Sequence, residues 1–236
     1  MTLIALAGRK NSGKSTIALW LAQKHGYREL SLARELKDLA LALFPRTLST
    51  EVVDGHSELR DRAFTHDQIR TAAQEIQAAG TYLRHDPDGK EWITRLFGDA
   101  PKPVPSRAAA DALSLAFDPY QVRLASPRAI LQYLGTEWGR SLWDEVWLNA
   151  VRRTVEENRD AAFVVPDCRF PNEARYLKGR LGGSVYWVEA AARIGPSTDK
   201  HASEPTRAEM IGYCAGEIDN NGGPEELATE LAGRFP

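Results

Sequence analysis

Cysteine is scarce in this chain. Two residues, Cys168 and Cys214, occur in 236, with no metal-ligand spacing around either. That argues against a disulfide framework and a cysteine-based metal site, and for reduced thiols in a cytoplasmic protein. The five histidines, His25, His56, His66, His85 and His201, show no zinc or general-base spacing either. Neither sign of charge dominates: 30 Lys+Arg stand against 32 Asp+Glu. A global basic field for gripping duplex DNA is therefore excluded, though a local patch is not. The apolar start, 3–7, is too short to span a bilayer and runs straight into glycines and charges, so it reads as neither signal peptide nor membrane helix. There is no internal repeat and no low-complexity tract. With 43% hydrophobic and 26% charged residues, the composition is that of an ordinary globular protein.

The patterning that is present alternates strands with helices. The continuous apolar run 2–7 predicts a strand buried on both faces, followed by a glycine-punctuated loop and an amphipathic helix over 14–25. A second strand is expected over 27–32 and a helix over 34–44. Residues 45–121 change character. They are polar, with one expected helix over 67–79, a turn-like Asp86-Pro87-Asp88-Gly89 and a proline cluster at 101, 103 and 105. Regular patterning resumes at Ser126-Pro127, a good helix start, and continues in a tryptophan-rich helix over 142–157. Strands are expected over 161–165, 184–188 and, weakly, 217–220, with helices over 172–178 and 224–232. This order implies an α/β fold of three layers, α/β/α, with a mostly parallel central sheet and an inserted, largely helical arm. The expected division is 1–45 with 122–236 as the core, and 46–121 as an acceptor-binding or lid region.

Gly8-Arg9-Lys10-Asn11-Ser12-Gly13-Lys14-Ser15 fits G-x-x-x-x-G-K-[ST] in full, between a buried strand and an amphipathic helix. In such a loop consecutive main-chain N–H groups converge on phosphate oxygens, and the following helix adds its positive end. Lys14 then bridges the β- and γ-phosphates of ATP, and the Ser15 hydroxyl is a Mg²⁺ ligand. Gly8, Asn11, Ser12, Gly13 and Thr16 complete the expected nucleotide-binding set. The motif does not say where the phosphoryl group goes. Water as acceptor makes an ATPase or switch; a second substrate makes a kinase. A kinase that joins two polyanions needs scattered cations rather than an acid–base pair, and Arg60, Arg128 and Arg169 lie at element ends where they could serve. Asp167 and Arg169 follow a central strand, where open α/β sheets gather their ligands.

Five segments taken in order carry a resemblance to the bacteriophage deoxynucleoside monophosphate kinases, within the P-loop kinase group. They are the loop 8–15; Leu32-Ala-Arg-Glu-Leu-Lys37-Asp38; Ser126-Pro-Arg128-Ala-Ile-Leu-Gln132-Tyr-Leu-Gly135-Thr136; Val165-Pro-Asp167-Cys-Arg169-Phe-Pro-Asn-Glu173; and His201-Ala-Ser-Glu204 with Asp219-Asn220-Asn221-Gly222. The resemblance implies phosphoryl transfer from ATP, with Mg²⁺, to a deoxynucleoside 5′-monophosphate, supplying a diphosphate for DNA synthesis. It assigns Lys14 and Ser15 to ATP and Mg²⁺, Arg60 to the monophosphate and Arg128 to the phosphate path. Lys10 is assigned to the acceptor side, to the transferring phosphoryl or to solvent, and Lys37 to the acceptor site or to the surface. Trp147 falls where an aromatic lies near the acceptor base; core packing beside Trp143 is the other reading. Asp167 either orders Mg²⁺-bound water or meets the acceptor. Arg169 meets the acceptor base or phosphate, with Glu173 as its salt-bridge partner. His201 and Glu204 are expected to order a loop. The middle of the chain departs from the family apart from Arg60, so base preference and the lid arginine (84, 95, 107 or 123) stay open. The expected partner is a small-molecule nucleotide, with no direct nucleic-acid or membrane binding, in the cytoplasm of the host cell if the protein is phage-encoded. A homodimer is compatible with the sequence, which does not fix the oligomeric state. Two other readings remain: a P-loop kinase for another small molecule, related to dephospho-coenzyme-A kinase, and a non-kinase ATP-binding module.

Overall fold

The computed structural model describes residues 2–55, 57–116, 125–195 and 206–235. In chain order the elements are β1 (Thr2–Ala7), α1 (Lys14–His25), β2 (Arg28–Glu29), α2 (Arg34–Leu43), α3 (Thr50–Asp54), α4 (Ser57–Asp61), α5 (His66–His85), α6 (Pro87–Phe97), α7 (Ser106–Ala116) and α8 (Pro127–Gln132). A π-helical stretch, Tyr133–Arg140, leads to α9 (Val146–Glu157), β3 (Ala162–Cys168), α10 (Pro171–Gly179), β4 (Ser184–Glu189), α11 (Ala191–Ile194), α12 (Arg207–Met210), β5 (Gly216–Asp219) and α13 (Pro224–Arg234). No helix among the described residues is long and apolar enough to cross a membrane. The expected loop residues His201 and Glu204, and the lid candidate Arg123, lie outside the described residues.

The chain divides into two compact units, Met1–Leu32 with Val151–Pro236, and Ala33–Ala150. In the first, the five strands form one parallel sheet in the order β2-β3-β1-β4-β5. The central place of β1 explains its sequence. Leu3 to Ala7 are all buried, because strands pair on both edges and helices cover both faces. Ile4 and Leu6 pack with Ile17, Ala18 and Leu21 of α1 and with Leu227 and Leu231 of α13, which makes one apolar layer of the α/β/α arrangement. On the way to β4 the chain passes through Gly183, where a Cβ would run into the Leu3 side chain. β3 is longer than expected. It runs through Pro166 and Asp167 to Cys168, with a register shift against β1 between Ala5 and Ala7. Proline costs a ladder N–H, and an irregular register tolerates that loss. By contrast β2 shrinks to two residues at the sheet edge.

The second unit is helical around its own core, in which Leu39, Leu43, Phe44, Leu83, Leu113, Leu134, Trp138 and Trp147 are all buried. The expected division at 45 and 121 is one by role. By packing, α2 and residues 127–150 share this core with the middle of the chain. Helix α5 starts at a reciprocal cap, with Thr65 accepting from Gln68 N and Gln68 from Thr65 N, and it runs beyond the expected end at 79 through a buried Gly80. The turn-like Asp86-Pro87-Asp88-Gly89 is a helix–helix corner. Asp86 ends α5 and caps α6, and Pro87 takes the first helical position, where its missing N–H costs nothing. Gly89 is required there, since a Cβ would meet the Tyr82 carbonyl. Buried Glu75 on α5 accepts from Arg46 N (2.7 Å) and Thr47 Oγ (2.5 Å), which satisfies a buried carboxylate and ties down the turn after α2.

Candidate active site

The donor side is built by the residues between β1 and α1. Gly8 leaves the strand at φ +152°, Asn11 is left-handed at +64°, and Gly13 precedes the helix at +97°. Two close approaches exclude larger residues. A Cβ on Gly8 would sit 2.9 Å from the Val188 carbonyl, and one on Gly13 would collide with the Asn220 amide. Lys14 Nζ donates to the carbonyls of Gly8 (2.7 Å) and Arg9 (2.7 Å), and reaches Ser12 Oγ at 3.3 Å. The ammonium thus closes the loop on itself. Ser12 is fully buried, whereas Asn11, Ser15 and Thr16 are exposed and Lys10 is half-buried.

A cleft of 530 Å³ opens beside this loop, lined by Asn11, Gly13 to Thr16, Trp20, Arg193, Asn220 and the 222–224 turn. Its size and its mixed polar and apolar lining suit a nucleotide. The Ser15 hydroxyl stands exposed on the first turn of α1, and Lys14 supplies the neighbouring cation. That donor set fits a magnesium ion carried largely by phosphate oxygens, with one protein ligand.

Asp167 lies at the carboxyl end of β3, and its two oxygens accept from Ser31 Oγ (2.6 Å) and Leu32 N (2.9 Å). It fixes the chain leaving β2. Glu173 accepts from the main-chain N–H groups of Arg169 (2.6 Å) and Phe170 (3.0 Å) and so caps α10. Glu173 therefore orients the backbone that presents the half-buried Arg169.

In the second unit three of the expected cations gather around α3 and α4. Lys37 pairs with Asp54 at 3.0 Å. Arg60 donates to the carbonyls of Val53 (3.0 Å) and Gly55 (2.7 Å), closing the end of α3. Arg128, on α8 behind the Ser126 cap, donates from Nε to Asp61, the neighbour of Arg60. The short segment 50–61 thus assembles a basic cluster whose counter-charges are aspartates or carbonyl dipoles.

Trp147 goes to the core. It is 5% exposed, its Nε1 donates to the Gly135 carbonyl at 2.9 Å, and Gly139 leaves the space its ring fills. Of the two readings open in the sequence, the packing fits this one. The G-T part of the L-Q-x-x-G-T segment lies in the π-helical stretch, where Gly135 also makes room for Leu36. Trp147→Phe is expected to lower stability by about 1–3 kcal/mol, by stranding that buried carbonyl, and to leave the acceptor KM unchanged. Thermal unfolding together with acceptor kinetics checks this; a raised acceptor KM without loss of stability returns Trp147 to the acceptor site.

Arg84 and Arg107 pair with Asp111, and Arg95 pairs with Glu35 and lies over the Trp92 ring. The arginine found beside the donor loop is one that no sequence motif marks, Arg193, just beyond β4. Asn220, just beyond β5, stands out in the sequence only as part of a longer motif. Both obey the rule that picks out Asp167, a position at the carboxyl end of a parallel strand.

An all-parallel sheet in this order, with a phosphate-binding loop leaving its central strand, is consistent with a P-loop kinase fold, and the likeness to two proteins named as kinases makes the protein a phosphotransferase acting as a nucleotide kinase. Two viral proteins are similar to it. The chain is 27% identical over 232 residues to a protein of Acanthamoeba polyphaga mimivirus provisionally named deoxynucleotide monophosphate kinase, covering 93% of this chain and 89% of that one. It is 28% identical over 193 residues to the deoxynucleoside-5′-monophosphate kinase of Escherichia phage T5, covering 75% and 71%. No family model matches. The resemblance drawn from the sequence motifs is thereby borne out.

Proposed function

We propose that the protein transfers the γ-phosphoryl group of ATP to a deoxynucleoside 5′-monophosphate, yielding the diphosphate, in the cytoplasm. The observation that carries this reading is the closed donor loop, in which Lys14 bridges the Gly8 and Arg9 carbonyls beside a nucleotide-sized cleft. In the first unit, Gly8 to Thr16 bind the triphosphate, Lys14 neutralises its β- and γ-oxygens, and Ser15 holds Mg²⁺. When bound, the metal ion offsets charge on the phosphate oxygens. Asp167 keeps the end of β3 in register with 31–32, and Arg169 and Lys10 add positive charge. In the second unit Lys37, Arg60 and Arg128 receive the monophosphate by exchanging their aspartate and carbonyl partners for phosphate oxygens. Arginine suits that exchange because its planar fork matches phosphate geometry. The relatives' names supply the acceptor class for this reading.

The test is a coupled assay with ATP and each of the four deoxynucleoside monophosphates, with dephospho-coenzyme A alongside. Turnover with at least one monophosphate is expected. Turnover with dephospho-coenzyme A alone, or ATP hydrolysis that no acceptor accelerates, overturns the reading.

A further inference from the structure

The donor loop is held from outside by a set of contacts that its motif does not contain. Asn220 is 6% exposed, and its Nδ2 donates to the carbonyl of the fully buried Ser12 at 2.8 Å. Its own N–H donates to the Glu189 carbonyl at 2.7 Å, so the side chain is presented from the end of β5 by a fixed backbone. Arg193 adds two bonds, from Nη2 to the Asn11 carbonyl (3.1 Å) and from Nε to the Asn220 carbonyl (3.2 Å). Arg9 returns from the loop to the Gly195 carbonyl at 2.6 Å. Residues as far as 208 positions away in sequence thus clamp one turn.

The direction of these bonds matters. In a planar trans peptide the C=O and the next N–H point opposite ways. Tying the Ser12 carbonyl to Asn220 therefore turns the Gly13 N–H away from Asn220 and keeps it available as a donor. Gly13 sits at φ +97°, a conformation with little steric restraint of its own, so the peptide orientation must be imposed from outside. An inward-turned Ser12 carbonyl would present a partial negative charge to the anion instead. Asparagine suits this position because it donates without carrying charge, and it lies so close to Gly13 that only a glycine leaves room for it there.

We propose that Asn220, seconded by Arg193, is a positioning residue that sets the Ser12–Gly13 peptide of the donor loop for triphosphate binding. The proposal rests on the donor reading given above. Asn220→Asp keeps the shape and both main-chain bonds but removes the donor, and Asn220→Ala removes the side chain. Both are expected to raise the KM for ATP about tenfold, which corresponds to about 1.4 kcal/mol, while the acceptor KM stays within about twofold. Arg193→Gln, at an exposed position where folding is not at stake, is expected to raise the KM for ATP about threefold by the same route. Isothermal titration with a non-hydrolysable ATP analogue and melting curves accompany the kinetics. Unchanged ATP affinity in the asparagine variants, or in Arg193→Gln should those variants not fold, overturns the brace. So does a parallel worsening of both KM values and the melting midpoint, which marks a merely structural role. A parent enzyme that neither binds nor consumes ATP overturns the donor reading itself, which is a separate result.

Discussion

Lys14→Ala is expected to reduce turnover by roughly 10²–10³-fold or more, the scale on which removal of one preorganised electrostatic partner acts in a water-poor site. The ammonium spans two loop carbonyls and a hydroxyl, and under the proposed function it turns from them to the polyphosphate. Removing it takes away a positive charge at the transferring group and the tie that closes the loop. The fold should survive, since the buried apolar layer around Ile4, Leu6 and Ile17 does not involve Lys14. Arginine is a poor substitute here, because a planar fork cannot point three donors into so small a turn. Steady-state kinetics beside an unfolding curve checks both halves. Activity near that of the parent, in a folded variant, removes the loop from the catalytic account.

The second large effect is expected at Arg128. Arg128→Ala should depress kcat about 10²-fold and leave ATP affinity within about twofold, because under the proposed function its partners are the acceptor and transferring phosphoryl groups rather than bound ATP. Its stability cost should be small: the pairing with Asp61 is partly solvated, with side-chain exposures of 21% and 40%. Asp61→Asn is the control. It releases Arg128 without removing it, and kcat should fall by far less than in the alanine variant. Should Arg128→Ala abolish ATP binding while sparing kcat at saturating ATP, the guanidinium serves the donor.

The parts of the molecule that can be read from sequence share one property: their signal is local. β1, β3 and β4 are continuous apolar runs, the donor motif is contiguous, and the Ser126 cap and Pro127 mark α8 within a few residues. Sequence and structure diverge where a residue type has two uses. Pro87 and Gly89 look like a turn in isolation, yet they begin a helix once Asp86 caps it and Tyr82 packs close. Trp147 has an aromatic face that suits a base, and only the glycine at 139 reveals that the ring is already housed. Arg193 and Asn220 are illegible for a different reason. β4, which Arg193 follows, pairs with β1 from the far end of the chain, and β5 with its Asn220 joins the sheet only through β4, so their shared approach to residues 11–13 emerges only from the order β1-β4-β5.

That strand order has a consequence for biogenesis. β1 is made early, but it pairs with β3 and β4, which begin at 162 and 184. Until those are synthesised β1 has no partner strand, whereas residues 33–150 already hold the buried side chains of a complete helical core. Nascent chains should therefore acquire protease resistance in the middle segment first, and nucleotide affinity only once β5 and its asparagine have emerged.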